Sequence, residues 1–188
     1  MKNIFIGLAE NKILETERLL LRPVTLDDAE AMYAYASDEE TTRYVFPQNH
    51  SLEETRENIA SIYLASPLGR WGIVLKETGE FIGSIDMHKL DTTMRKAALG
   101  YCLHKDYWNK GYMTEAVKAV IQLAFETLEM NKLVAVHDKE NPASGRVMAK
   151  SGMHFSHEEP YACLDGRRMV TRIHYHVTKE MYREARKS

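Results

Sequence analysis

The chain has 188 residues, 44% of them hydrophobic, with ten Gly and five Pro, which is the composition of an ordinary globular domain with a sizeable core. A formal charge of −2 offers no global field for nucleic acid or an anionic membrane, so neither is an expected partner and any bound anion must be held locally. Two cysteines, Cys102 and Cys163, make no disulfide framework and show no metal-ligand spacing, which suits a reduced, cytoplasmic setting.

The N-terminal MKNIFIGLAENKILETERLLL lacks the long apolar region and small-residue cleavage site of a signal peptide. No segment reaches the roughly 18 apolar residues of a membrane span. No repeat or Gly/Ser-rich linker divides the chain, so one domain is expected over 1–188, with a core of about 15–178.

Residues 19–24 (LLLRPV) read as a strand, and Thr25 with Asp28 is a capping-box pattern opening a helix through about Ala36. Ser51 with Glu54 repeats the device for a second helix that should end before the Pro67–Gly69 turn. Three strands follow, 71–76, 81–90 and 97–104, and their short polar links make them antiparallel neighbours. In the next segment Met113, Ala116, Val117, Val120, Ile121, Ala124 and Leu128 fall on one helical face. LVAVHD (133–138) is a short buried strand, and NPASGRVMAKSG sets Asn141 as N-cap, Pro142 at the first helical position and Gly152 at the close. Two strands around the LDGR turn (164–167) and a charged helix end the chain. The expected fold is mixed α/β, a largely antiparallel sheet of about seven strands with helices on both faces.

The stretch WNKGYMTEA (108–116) joins an apolar strand to the clearest helix. A helix start presents unpaired N–H groups and the positive dipole end, Gly111 lets a ligand approach the backbone, and Lys110 adds a cation. The same turn would serve a plain strand-to-helix connection. Neither GxxxxGK(S/T) nor GxGxxG occurs here, which disfavours a nucleotide triphosphatase or a dinucleotide-binding fold.

Four ordered blocks resemble the GNAT acyl-CoA-dependent N-acetyltransferases, and within them the RimJ/RimL type that acetylates ribosomal-protein N-termini. They are TERLLLRPVTLDDAE (16–30), IGSIDMHKLDTTMRKAALGYCL (82–103), WNKGYMTEA, and NPASGRVMAKSGM (141–153), which parallels the family's NxxSxxVxxKxGF. The resemblance implies that acetyl-CoA, the acetyl donor, lies where the fourth predicted strand splays from the fifth. Its pantetheine arm would pair with the main chain near Tyr101 and Leu103. The amides of Asn109, Lys110, Gly111, Tyr112, Met113 and Thr114 would hold the pyrophosphate, with Asn141 and Ser144 on the far side. Trp108 departs from the family pattern Q/R-x-x-G-x-G/A, and Met113 stands where a small residue is usual. Met113 lies on the apolar helix face; turned toward the phosphates, it would weaken donor binding.

Transfer from a thioester needs a neutral amine, an oxyanion donor and an acid for the thiolate. Deprotonating an α-amino group at pH 7 costs roughly 1.4 kcal/mol, whereas a lysine side chain costs about 4.6 kcal/mol, so an N-terminal acceptor manages with a weak base. Many relatives carry Glu where this chain has Ala98. The remaining base candidates are Asp86 and His88, which share one strand face, and Glu158 and Glu159. Ser144 and Tyr161 are candidate acids. Each has a plain structural alternative: backbone satisfaction, a solvated surface pair, a first-turn residue or a core tyrosine. Cys163 is disfavoured as an acyl carrier, because the family transfers directly within a ternary complex. His174 and His176 lack a third ligand, so no metal is expected. Tyr44, Val45 and Phe46 are candidates for the acceptor wall, or else a hydrophobic clasp. The expected acceptor is a protein or peptide α-amine. Alternatives are a small amine such as a polyamine, aminoglycoside or amino acid, where Asp38, Glu39 and Glu40 would matter, and a non-catalytic acyl-CoA-binding module. A homodimer is compatible with either.

Overall fold

The computed structural model describes residues 3–163 and 168–187. Its frame is one eight-stranded sheet in the order β1-β2-β3-β4-β5-β6-β8-β7. The strands are β1 (Leu14–Glu15), β2 (Leu19–Arg22), β3 (Arg70–Leu75), β4 (Phe81–Asp91), β5 (Lys96–Leu103), β6 (Lys132–Asp138), β7 (His154–Cys163) and β8 (Met169–Thr178). One strand beyond the expected seven arises because β1 is a two-residue edge piece paired to Leu20 and Leu21, too short to show alternation. All neighbours are antiparallel except β5 and β6, which a helical crossover joins in parallel. The LDGR turn lies outside the described residues.

The helices are α1 (Ile4–Glu10), α2 (Ala29–Ala36), α3 (Glu39–Thr42), α4 (Leu52–Asn58), α5 (Tyr112–Gln122), α6 (Pro142–Lys150) and α7 (Lys179–Ala185). Two run on as π-helical turns, α4 over Ile59–Leu64 and α5 over Leu123–Thr127. The capping devices at Thr25–Asp28 and Ser51–Glu54 are formed. The polar stretch after Ala36 folds into α3, capped by Asp38 onto the Thr41 amide. The short α1 is capped by Asn3, whose side chain accepts from the amides of Phe5 and Ile6. None of the described helices is long and apolar enough to cross a membrane.

Helices cover both sheet faces. The larger core joins Ile4 and Leu8 of α1, Leu19, Trp71, Ile85, Leu99 and the apolar stripe of α5. Val117, Val120 and Leu128 keep no exposed surface, each contributing about 1.5–3 kcal/mol by burial. Across the sheet, Val24, Met32, Tyr35, Ala36, Ile59 and Cys102 form a second core under α2 and α4. Buried Arg95, in the β4–β5 turn, donates to the carbonyls of Leu128 and Glu129, satisfying acceptors that the helix end leaves unpaired.

Candidate active site

At the start of α5, Gly111 adopts φ +82°, and Asn109 two residues earlier adopts φ +60°. A left-handed backbone costs a Cβ-bearing residue roughly 1–2 kcal/mol, which explains glycine at 111; Asn tolerates it better. This winding turns successive amides toward one concavity at the positive end of an eleven-residue helix. Met113 is buried in the larger core, so the cradle is made of main chain and the methionine does not obstruct it. Lys110 holds its ammonium 5.3 Å from the Tyr107 ring.

A neighbouring strand braces the cradle. Arg18, entering β2, donates from Nη1 to the Lys110 carbonyl at 3.0 Å and from Nε to Glu115 at 2.7 Å, and its guanidinium lies 4.5 Å from the Tyr112 ring. Thr16 donates to the same Glu115 carboxylate. These bracing residues were not singled out in the sequence. Thr16, Arg18 and Glu115 lie inside the quoted blocks, but their pairing across 97 or more positions leaves no local signal.

The cradle ends a gap in the sheet. The β5–β6 pairing runs from Lys96↔Lys132 to Leu99↔Ala135 and stops, although β5 continues to Leu103 and β6 to Asp138. The phase of the β4–β5 ladder decides what faces the gap. His104 N donates to Ile82 O, so the hydrogen-bonded pairs are the even-numbered β5 residues, including Cys102↔Ser84 and Gly100↔Asp86. The main-chain groups of Tyr101 and Leu103 therefore point away from β4 into the opening. The Trp108 indole donates to the Leu103 carbonyl at 2.7 Å, so the residue at the pattern's Gln/Arg position anchors the turn to the strand.

Asn141 caps α6 by accepting from the Ser144 amide. The Ser144 hydroxyl donates to the Tyr101 phenol at 3.0 Å, and that phenol donates to the Ser144 carbonyl at 3.0 Å. Burial pushes the Tyr101 phenol far above its ordinary value, so it stays protonated. Ser144 and Tyr101 thus meet below the opening, on the α5–α6 side of the sheet.

Other candidates are dispersed. Tyr161 is 82% exposed and lines an open depression of about 670 Å³ with Asp138, Lys139, Glu140 and Arg168. Glu158 pairs with Lys139, and Glu159 with His174, whose ring stacks on His157 at 4.2 Å. Among the described residues no group of three side chains is placed to hold a metal. Phe46 packs on the second core, Tyr44 lies under the Arg43 guanidinium, and the Arg43 carbonyl accepts from Arg168 beside β8. Asp38 is spent on the α3 cap and on Lys105, which also pairs with Glu40. Asp86 and His88 stand together on β4, on the α2–α4 side of the sheet.

A sheet that splays at a parallel pair beside a main-chain anion cradle is the arrangement of an acyl-CoA-dependent transferase. Residues 18–154 match the acetyltransferase (GNAT) domain family, and the chain belongs to that family. It is 38% identical to the uncharacterized N-acetyltransferase YoaA of Bacillus subtilis, over 74% of this chain and 81% of that protein. The crystal structure of a GNAT-family acetyltransferase from Bacillus anthracis superposes with a TM-score of 0.82 at 26% identity, covering 89% of this chain and 99% of that one. The spermidine N(1)-acetyltransferase of Escherichia coli is 23% identical over 70% of each chain. The chain is accordingly an acyltransferase of the N-acetyltransferase class, whose members generally draw the acetyl group from acetyl-CoA.

Proposed function

We propose that the protein transfers acetyl from acetyl-CoA directly to the α-amine of a protein or peptide, as a RimJ/RimL-like enzyme. The observation that carries the donor assignment is that the main chain of Tyr101 and the Leu103 amide face the β5–β6 gap, which ends at the amides after Gly111. Such an edge suits the amide-bearing pantetheine arm, by the hydrogen bonding that adds a strand to a sheet, and the helix start suits a pyrophosphate. Asn141 and Ser144 would flank the donor from α6. The bound donor supplies an activated thioester. The Ser144 and Tyr101 hydroxyls donate within their own pair, and one of them would turn from that bond to donate to the departing sulfur.

The acceptor assignment rests on charge. Asp38, Glu158 and Glu159 are each paired with a cation or imidazole, which reduces the negative charge they would offer a polycation. An α-amine also demands less of the base than a lysine side chain does. The open depression beside Tyr161 and Arg168, bridged through Arg168 to the loop carrying Tyr44 and Phe46, has room for a chain terminus. The likeness to a spermidine N(1)-acetyltransferase favours a second reading, a small polyamine acceptor.

Thiol release from acetyl-CoA, followed over a panel of peptides with different N-termini, spermidine, aminoglycosides and amino acids, tests both. Turnover on unblocked peptides that is lost on N-terminally blocked ones is the expected result. Turnover on spermidine alone would move the acceptor to polyamines, and CoA binding without release on any amine would remove the transferase reading.

A further inference from the structure

We propose that Asp86 and His88 form the proton-accepting pair for the incoming amine, with the imidazole as base and the carboxylate as its orienting partner. This deepens the transferase reading and rests on it. The two residues lie two apart on β4 and share the sheet face opposite Tyr101 and Ser144, so acid and base stand on opposite sides of the opening. His88 Nδ1 is 3.4 Å from Asp86 Oδ2, and both side chains remain partly open to solvent. A carboxylate beside Nδ1 favours the tautomer with its proton there, which leaves Nε2 as the nitrogen able to accept a proton.

The adjoining strand is shaped around this pair. His88 is in register with Ala98, and Asp86 with Gly100. A Cβ on Gly100 would lie 2.6 Å from Asp86 Oδ1 and 3.2 Å from His88 Cε1, so the pair occupies space that any side chain at 100 would take. Gly100 is also the first β5 residue beyond the last β5–β6 pair, Leu99↔Ala135. The imidazole therefore leans over two small residues at the point where the sheet begins to open. A structural ion pair on a sheet surface needs neither that clearance nor that location.

The other titratable groups on this face include Tyr35 and Cys102, both pushed up by burial, and, farther along the sheet, Lys132, Arg172 and His174, the last paired with Glu159. Arg70 is in register with Asp86 across β3, and Tyr63 comes from the π-helical turn after α4, its phenol held up by burial and, to a smaller extent, by the Asp86 charge. Past Ala98 and Val134 the face continues to His176, whose charge is disfavoured first by burial and then by Lys132 and His154. Tyr63 donates to Ser84, and burial keeps its phenol protonated.

In the step proposed, the neutral amine attacks the thioester carbonyl carbon, its surplus proton passes to His88 Nε2, and the C–S bond breaks. The thiolate takes a proton, giving an amide and a free thiol, and the imidazolium returns its proton to solvent. Positioned acid–base groups contribute roughly 10²–10⁴-fold.

The test follows amine-dependent thiol release against pH for the wild type, His88→Gln, Asp86→Asn and the double variant His88→Gln/Ala98→Glu, with acetyl-CoA affinity measured alongside. His88→Gln should lower kcat by about 100-fold or more and abolish the acidic limb, with donor affinity within about twofold of wild type. Asp86→Asn should lower kcat and displace that limb. A carboxylate at 98, His88's cross-strand neighbour, should restore part of the rate with the limb moved to lower pH. A folded His88→Gln enzyme that keeps the wild-type limb, or the wild-type rate, would overturn the assignment while leaving the transferase reading intact. A wild type that binds CoA but releases no thiol on any amine defeats both.

Discussion

Arg18 and Glu115 form an ion pair, Nη2 to Oε2 at 2.7 Å, that joins the entry of β2 to the first turn of α5. The same carboxylate accepts from the Thr16 hydroxyl at 2.6 Å and the Arg18 amide at 2.9 Å. Burial alone would raise the pKa of Glu115, but these bonds outweigh it and keep the group ionised. If the turn holds phosphate as proposed, a bare carboxylate beside it would repel that phosphate, and Arg18 neutralises Glu115 while holding the Lys110 carbonyl in place. Replacing Arg18 by Ala should therefore weaken CoA binding by about 5- to 30-fold, the equivalent of roughly 1–2 kcal/mol, with little change in kcat at saturating donor. Calorimetric titration with CoA gives the affinity directly.

Two substitutions at Gly111 separate backbone strain from charge. Its φ of +82° penalises any Cβ, and a Cβ there would lie 3.4 Å from Arg18 Nη2. Gly111→Ala should cost a few-fold in donor affinity, in keeping with roughly 1–2 kcal/mol of strain. Gly111→Asp adds an anion to the cradle and should cost at least about tenfold more at low salt, the extra loss shrinking as salt screens it. Equal losses for both variants at every salt concentration would show that the cradle holds no anion.

The hydroxyl pair below the opening should act on turnover. Ser144→Ala removes the donor to the Tyr101 phenol, and Tyr101→Phe removes the phenol itself. Each should lower kcat by about tenfold or more and leave the affinity for CoA within a few-fold. Affinity loss without a kcat effect would make the pair a strut between β5 and α6.

Acid stability should trace to Asp28. Burial would raise its pKa, but bonds from Arg22 at 2.6 and 2.8 Å and from Thr25 overcome that and lower it below 3.8. A depressed carboxylate pKa contributes stability that is present above the unfolded value and lost as pH falls through the folded one. Asp28→Asn should thus cost about 2 kcal/mol at pH 7, and the difference from wild type should narrow below about pH 4. Urea unfolding at the two pH values measures both.

Most of the frame could be read from the chain because its signals are local. The α5 stripe from Met113 to Leu128 repeats at helical spacing, and the caps at Thr25, Ser51 and Asn141 use residues that act over three positions. What escaped is either too short for periodicity or dependent on distant partners. The seven residues of α1 give less than two full repeats, and Gly7 sits among them because Leu128 leaves no room for a side chain. Arg18 and Glu115 are 97 positions apart, and nothing in either neighbourhood announces the other. The Tyr101 hydroxyl escaped for the same reason, since its partner Ser144 arrives with α6, 43 positions later.

The ladder phase between β4 and β5 has a reach well beyond the two strands. Tyr101 and Leu103 face the gap because they are odd-numbered in a strand whose even members bond to β4, and that parity is set at the far end by the 92–95 turn, where the Asp91 carboxylate receives the amides of Thr93 and Met94, together with the one-residue register shift between His88 and Asp91. Adding one residue to that turn, with the shift between His88 and Asp91 kept, would exchange odd for even along the rest of β5. Gly100 and Cys102 would then offer their main chain to the donor, and Tyr101 would swing away from Ser144 to the opposite face. Adding two would leave parity intact. The proposed site is thus written partly in the length of a turn at the far end of β5 and in the register shift beside it.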